Sequence, residues 1–156
     1  MNDIPEGFGK PGEGSAPFTI TQVVEWGEMD SLGHVNNAVY LRWFENVRFH
    51  YFEHIGLNAM HREMAVGPIL ARATIDFRAP VTFPDEVLLS TQCVRLGGKS
   101  FTLYNRAWST KDGQMVAEGE AIIVMMDYSE PAQPKSIRIP ELLRSTICAL
   151  DGLSDD

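Results

Sequence analysis

The sequence predicts an α+β fold in which an antiparallel β-sheet curls around one long central helix. Two observations carry that prediction. Along the chain, one strand-like stretch is followed by one long apolar stretch of helical period, and then by four more strand-like stretches. The last three of these are joined by short turns, so they form an antiparallel meander with a face that needs cover. Only one long helix is available to cover it. Wrapping the sheet around that helix is the economical arrangement.

Taken in order, residues 1–17 contain four Gly and three Pro and few side chains able to fill a core. A flexible N-terminal arm is expected there. The arm lacks the basic start and apolar middle of a secretory signal. From Phe18 to Trp26, the set Phe18, Ile20, Val24 and Trp26 alternates with Thr19, Thr21, Val23 and Glu25, which predicts a strand ending at Gly27. Glu28 to Gly33 reads as a turn or loop.

The period then changes. Tyr40, Trp43, Phe44, Val47, Tyr51 and Ile55 recur at steps of three and four, and Gly56 stands where a helix would end. A helix is expected from Asn36 or Asn37 to Ile55, roughly 28 Å at 1.5 Å per residue. Val39, Leu41, Phe49 and Phe52 spread apolar surface beyond one stripe, so other elements should wrap it.

A loop through Pro68 should follow. Ile69 to Arg78 then sets Ala71, Ala73, Ile75 and Phe77 against Arg72, Thr74, Asp76 and Arg78, the alternation of a further strand. Val87 to Leu96 and Ser100 to Thr110 are strands separated by Gly97-Gly98-Lys99, and Asp112-Gly113 supplies the hairpin signal before Met115 to Asp127. Ile139 to Leu150 predicts a terminal helix with Pro140 in its first turn, where a missing N–H costs little. Residues 18–150 therefore form one domain, and Asp151 to Asp156 reads as a solvated acidic tail.

Composition bounds the function. With 156 residues, 44% of them hydrophobic, the chain has material for one well-filled core. A net charge of −8 repels a phosphate backbone, so no nucleic-acid partner is expected. No apolar run approaches the ~20 residues needed to cross a bilayer, and no membrane partner is expected. Cys93 and Cys148 are too few and too far apart for a disulfide framework or a thiolate zinc site, which suits a reducing cytoplasm.

The run from Trp26 through Asp30-Ser31-Leu32-Gly33-His34-Val35-Asn36-Asn37 to Glu45 resembles the signature of the hotdog-fold thioesterases. It is most like the 4-hydroxybenzoyl-CoA thioesterase type. Ile75-Asp76-Phe77-Arg78-Ala79-Pro80-Val81 with Asp85-Glu86-Val87 is similar to the same family's second strand and following turn. The resemblance implies a hotdog fold and a homodimer or homotetramer with its sites at the subunit interface. It implies hydrolysis of an acyl-CoA thioester, with no metal or organic cofactor. By the same likeness Asp30 is the catalytic nucleophile or general base, and the backbone N–H near Asn37 is the oxyanion donor.

Those residue types suit the chemistry. A carboxylate can attack a thioester carbonyl or activate water, and free N–H groups at a helix start favour the oxygen that gains charge. Without the resemblance, Asp30 reads as a residue shaping a turn, since Asp is common in loops before helices. His34 matches the histidine of plant-type acyl-carrier-protein thioesterases, whose aspartate, asparagine and histidine alternate, but Leu32 stands where that asparagine would be. His34 either orients water or the carbonyl, or caps the loop. Asn36 and Asn37 can serve simply to begin the helix.

For substrate binding, Tyr40 and Trp43 can line an acyl pocket near the helix start or pack the core. Arg95 and Lys99 flank Gly97 and Gly98, with Ser100 following, and can receive the phosphates of coenzyme A at the hairpin tip. The same residues also make an ordinary tight turn. His50-Tyr51-Phe52-Glu53-His54 spells the H-x-x-E-H pattern of some zinc peptidases, but a third ligand has no obvious source and no metal is expected. The rival functions are an acyl-carrier-protein thioesterase, a non-catalytic module that binds an acyl thioester, and a hydratase of the same fold.

Overall fold

The structure is a computed structural model that describes residues 17–154. All but the last residue of the expected N-terminal arm, and the end of the expected acidic tail, lie outside the described residues. The elements are β1 (Phe18–Val23), a 3-10 turn (Trp26–Glu28), α1 (Asn37–His54), α2 (Leu57–Met64), β2 (Val66–Ala73), β3 (Asp76–Phe77), β4 (Glu86–Leu96), β5 (Ser100–Ser109), β6 (Gln114–Asp127), β7 (Lys135–Ser136) and α3 (Glu141–Asp151). One sheet of seven strands runs β1-β4-β5-β6-β2, and both β3 and β7 pair with β6. Every pairing is antiparallel.

The helix of period three and four is α1. Asn36 caps its start by accepting the Ala38 N–H at 2.9 Å. Gly56 follows its end at φ +80°, a conformation that glycine adopts without steric cost. The helix buries Tyr40, Trp43, Phe44, Val47, Arg48, Tyr51 and Phe52. Around Tyr40, Trp43 and Phe44 the core is completed by Val81, Val87, Leu89, Ala107 and Val116. Around Tyr51 and Phe52 it is completed by Cys93, Phe101, Leu103 and Ile123, with Leu143 and Ile147 of α3 closing the end.

Several elements differ from expectation for local reasons. Trp26 leaves the strand for the 3-10 turn and is 72% exposed. The expected loop before Pro68 is largely α2, whose one buried residue is Leu57, and β2 already begins at Val66. The single strand expected over Ile69–Arg78 is broken into β2 and β3, because the chain steps over Gly119 at Thr74 and Ile75. Pro140 caps α3 from outside its first turn. Leu41 and Phe49 are about half exposed, at 49% and 54%, so one copy of the sheet covers only one side of α1.

Asp151 is not part of a solvated tail. It is the last residue of α3 and is 4% exposed. The Tyr51 hydroxyl donates to its Oδ2 at 2.5 Å, and the Cys93 N–H donates to the same oxygen at 3.1 Å. Burial, and then the neighbouring Asp151 carboxyl, push the Tyr51 phenol well above the ordinary tyrosine range. Tyr51→Phe deletes that buried bond with little change in volume. It is expected to cost about 2 kcal/mol, or roughly 6 °C in melting temperature, checked by thermal denaturation.

Candidate active site

The segment between the 3-10 turn and α1 is held by its own backbone. The Asp30 N–H donates to the His34 carbonyl at 2.9 Å, and the Gly33 N–H donates back to the Asp30 carbonyl at 3.0 Å. Gly33 sits at φ +77°, so this turn favours a residue without a Cβ. Met29 bridges to Val35, whose N–H donates to the Val81 carbonyl at 2.8 Å. The Asn36 N–H donates to the Glu28 carbonyl at 2.9 Å, which fastens the helix start to the 3-10 turn.

This frame presents Asp30. Its Oδ1 accepts the Leu32 N–H at 2.9 Å, and its Oδ2 faces the Asn36 side-chain amide at 3.4 Å. Asp30 opens into a cavity of about 400 Å³, lined also by His34, Val35, Asn37, Tyr40 and the stretch Phe77 to Pro80. Among the described residues the Asn37 N–H has no acceptor, as expected of an amide in the first turn of a helix. The cavity therefore brings together a carboxylate, an imidazole and the positive end of a helix dipole.

Tyr40 forms part of the wall. Burial pushes its phenol up to about 12, partly offset by a backbone hydrogen bond with Val81, so it stays neutral at physiological pH. Phe77 packs edge-on against it with ring centres 5.1 Å apart. Arg78 lines the cavity and is tied to Glu118 through Nε at 3.1 Å and a terminal nitrogen at 2.8 Å. The Tyr104 hydroxyl also donates to Glu118. The bonds from Tyr104 and Arg78 hold the Glu118 carboxyl below the ordinary range, against the opposing effect of partial burial.

Asp30, His34, Asn37 and Tyr40 thus meet at one cavity, and the other residues singled out do not. Trp43 is fully buried, and its indole N–H donates to Glu28 at 3.2 Å, beside a separate cavity of about 460 Å³ with Arg42 and Asn46. The hairpin of Arg95, Gly97, Gly98, Lys99 and Ser100 lies far along the sheet. Arg106 pairs with Glu118 beside β3, and Ser100 is about 20 Å up the same strand at ~3.3 Å per residue.

The hairpin carbonyls anchor the C-terminal segment. Gly97 accepts from Arg144, and Gly98 accepts the Ile139 N–H at 2.9 Å. Lys99 reaches the Ser136 carbonyl and hydroxyl at 3.3 Å. His50, Glu53 and His54 are exposed on α1, where His54 stacks on Phe18 and Glu53 accepts from Asn58. Among the described residues no group of three or more His, Cys, Asp or Glu could hold a metal ion. The wall from Phe77 to Pro80 was not singled out as site residues. The only signal in the sequence was the similarity of that stretch to the family's second strand.

A family model described as the thioesterase-like superfamily matches residues 24–147. The chain belongs to this family. The long-chain acyl-CoA thioesterase FadM of Escherichia coli is 27% identical over 64% of this chain and 75% of its own length. Protein THEM6 of Danio rerio is 34% identical over 55% of this chain, and the match spans 43% of that protein. The solved structure of a 4-hydroxybenzoyl CoA thioesterase variant complexed with 4-hydroxybenzoyl CoA superposes with a TM-score of 0.75 at 21% identity, covering 83% of this chain and 96% of that one. The fold of this superfamily member is the hotdog fold. No helix among the described residues is long and apolar enough to cross a membrane.

Proposed function

We propose that the protein hydrolyses acyl-CoA to a free acid and coenzyme A in the cavity at the start of α1. Asp30 acts on the thioester carbonyl, as nucleophile or by taking a proton from water. The Asn37 N–H receives the developing oxyanion, and His34 orients the water or the carbonyl. One observation carries the reading: Asp30 and Asn37, whose amide has no acceptor among the described residues, line the same cavity. Nucleophile or base must face the carbonyl carbon while a donor faces its oxygen, and a helix start offers such a donor with no reorganisation.

The acyl-CoA substrate draws support from the activity that FadM's name states and from the acyl-CoA in the complex described above. Homodimerisation has a physical motive. Among the described residues the edge strand β2 pairs with β6 alone and carries Ile69 and Leu70 exposed, and Leu41 and Phe49 leave an apolar stripe on α1. A second copy would cover both.

Aromatic, short and long acyl-CoA substrates, assayed beside acyl-carrier-protein thioesters by release of free thiol, test the activity directly. Turnover of acyl-CoA is the expected result; binding without thiol release would overturn it. Arg95 and Lys99 do not line the cavity, so in this reading they meet the substrate from a neighbouring subunit. In a shared site, reversing both charges raises KM for acyl-CoA more than it lowers kcat. An unchanged KM would confine the hairpin to anchoring the C-terminal segment.

A further inference from the structure

Asn36 uses all four of its polar groups. Its side-chain Oδ1 accepts the Ala38 N–H at 2.9 Å, and its own carbonyl accepts the Val39 N–H at 2.9 Å. Its N–H donates to the Glu28 carbonyl at 2.9 Å, and its Nδ2 faces Asp30 Oδ2 at 3.4 Å. Two of the first three amides of α1 are therefore taken by Asn36 itself. The third, that of Asn37, has no acceptor among the described residues, and Asn37 lines the same cavity as Asp30. The cap thus selects which amide stays open.

We propose that Asn36 is a positioning residue for hydrolysis, and that its one side-chain amide couples the carboxylate of Asp30 to the oxyanion donor at Asn37. The proposal rests on the reading of Asp30 given above. Residue chemistry explains why asparagine is needed. Ser, Asp and Asn cap helices about equally well, because capping needs only an oxygen. Holding a carboxylate as well needs a donor on the same short side chain. Ser retains the cap but has no second arm, and Asp retains the cap but sets a second negative charge against Asp30. The 3.4 Å separation is long for a hydrogen bond, as is common before substrate closes a site.

The charged and titratable groups around Asp30 are few. His34 and Tyr40 line the cavity, as does Arg78, whose guanidinium is engaged by Glu118. Glu28 lends Asn36 only its backbone carbonyl, and its carboxylate is turned away to Arg42 and Trp43. A charge placed at residue 36 therefore has Asp30 as its nearest titratable partner by the contacts described.

The test compares Asn36→Ser and Asn36→Asp with Asp30→Asn, reading kcat, KM, the pH profile of kcat/KM and melting temperature. Asn36→Ser is expected to melt close to the parent protein, to keep KM and to lose about tenfold in kcat. Asn36→Asp is expected to move the acidic limb of the pH profile upward by about one pH unit, because two adjacent carboxyls resist ionising together. A residue that only capped the helix would leave kcat unchanged in Asn36→Ser, which keeps the cap. If Asp30→Asn is inactive while Asn36→Ser keeps kcat within twofold and Asn36→Asp leaves the limb in place, the coupling is overturned and the role of Asp30 stands. If Asp30→Asn turns over normally, both fall. Should Asn36→Asp fail to fold, kcat of Asn36→Ser decides.

Discussion

Asp30→Asn is expected to reduce thioester hydrolysis at least a thousandfold while leaving the fold in place. A positioned general base contributes about 10²–10⁴ in rate, and removal of a nucleophile leaves only the oxyanion donor and binding. The fold should survive because the contact that shapes the turn is preserved. Leu32 N–H donates to Asp30 Oδ1 at 2.9 Å, and an asparagine carbonyl accepts the same bond. The backbone ties of the segment, from the Gly33, Val35 and Asn36 N–H groups, are indifferent to the substitution, and only the 3.4 Å contact of Asn36 Nδ2 with Oδ2 is given up. Melting within about 3 °C of the parent, roughly 1 kcal/mol for a domain of this size, would separate lost chemistry from lost structure. Near-normal release of free coenzyme A by the variant would remove Asp30 from its assigned role.

Legibility in the sequence followed the range of the interactions. The helix α1 was legible because its apolar residues repeat at helical spacing and Gly56 ends it. The strands β4, β5 and β6 were legible because short turns separate alternating runs. The short helix α2 was not, since Leu57 alone is buried and no apolar period can be read from one residue. Asp151 reads as tail in the sequence because acidic residues near a terminus are usually solvated, whereas its partner Tyr51 lies 100 residues away. The site divides in the same way. Asp30, His34, Asn37 and Tyr40 are neighbours in sequence and share one cavity. The opposite wall, with Arg78, arrives through β3 pairing with β6, a contact that spacing does not encode.

The break between β2 and β3 makes the second large effect calculable. Gly119→Ala is expected to lower the melting temperature by roughly 10 °C, on the order of 3 kcal/mol, although it adds one methyl group. A Cβ at Gly119 would lie 1.8 Å from the Thr74 carbonyl oxygen and 2.7 Å from its carbon, and both are backbone atoms without a rotamer to turn. The backbone there is also pinned from both sides. The Thr74 N–H donates to the Glu120 carbonyl at 2.9 Å, and the Glu120 N–H donates to Thr74 Oγ1 at 3.1 Å. To admit the methyl, the Thr74–Ile75 step must lift off β6, and Asp76 and Phe77 must lift with it from Glu118 and Ala117. Phe77 and Arg78 line the cavity, so whatever protein remains folded should show a raised KM with a smaller change in kcat. Gly27→Ala is the control, since a Cβ there meets nothing within 4 Å, and it should melt within about 0.5 kcal/mol of the parent. Equal melting temperatures for the two variants would show that the crossing is loose and does not fix the wall of the site.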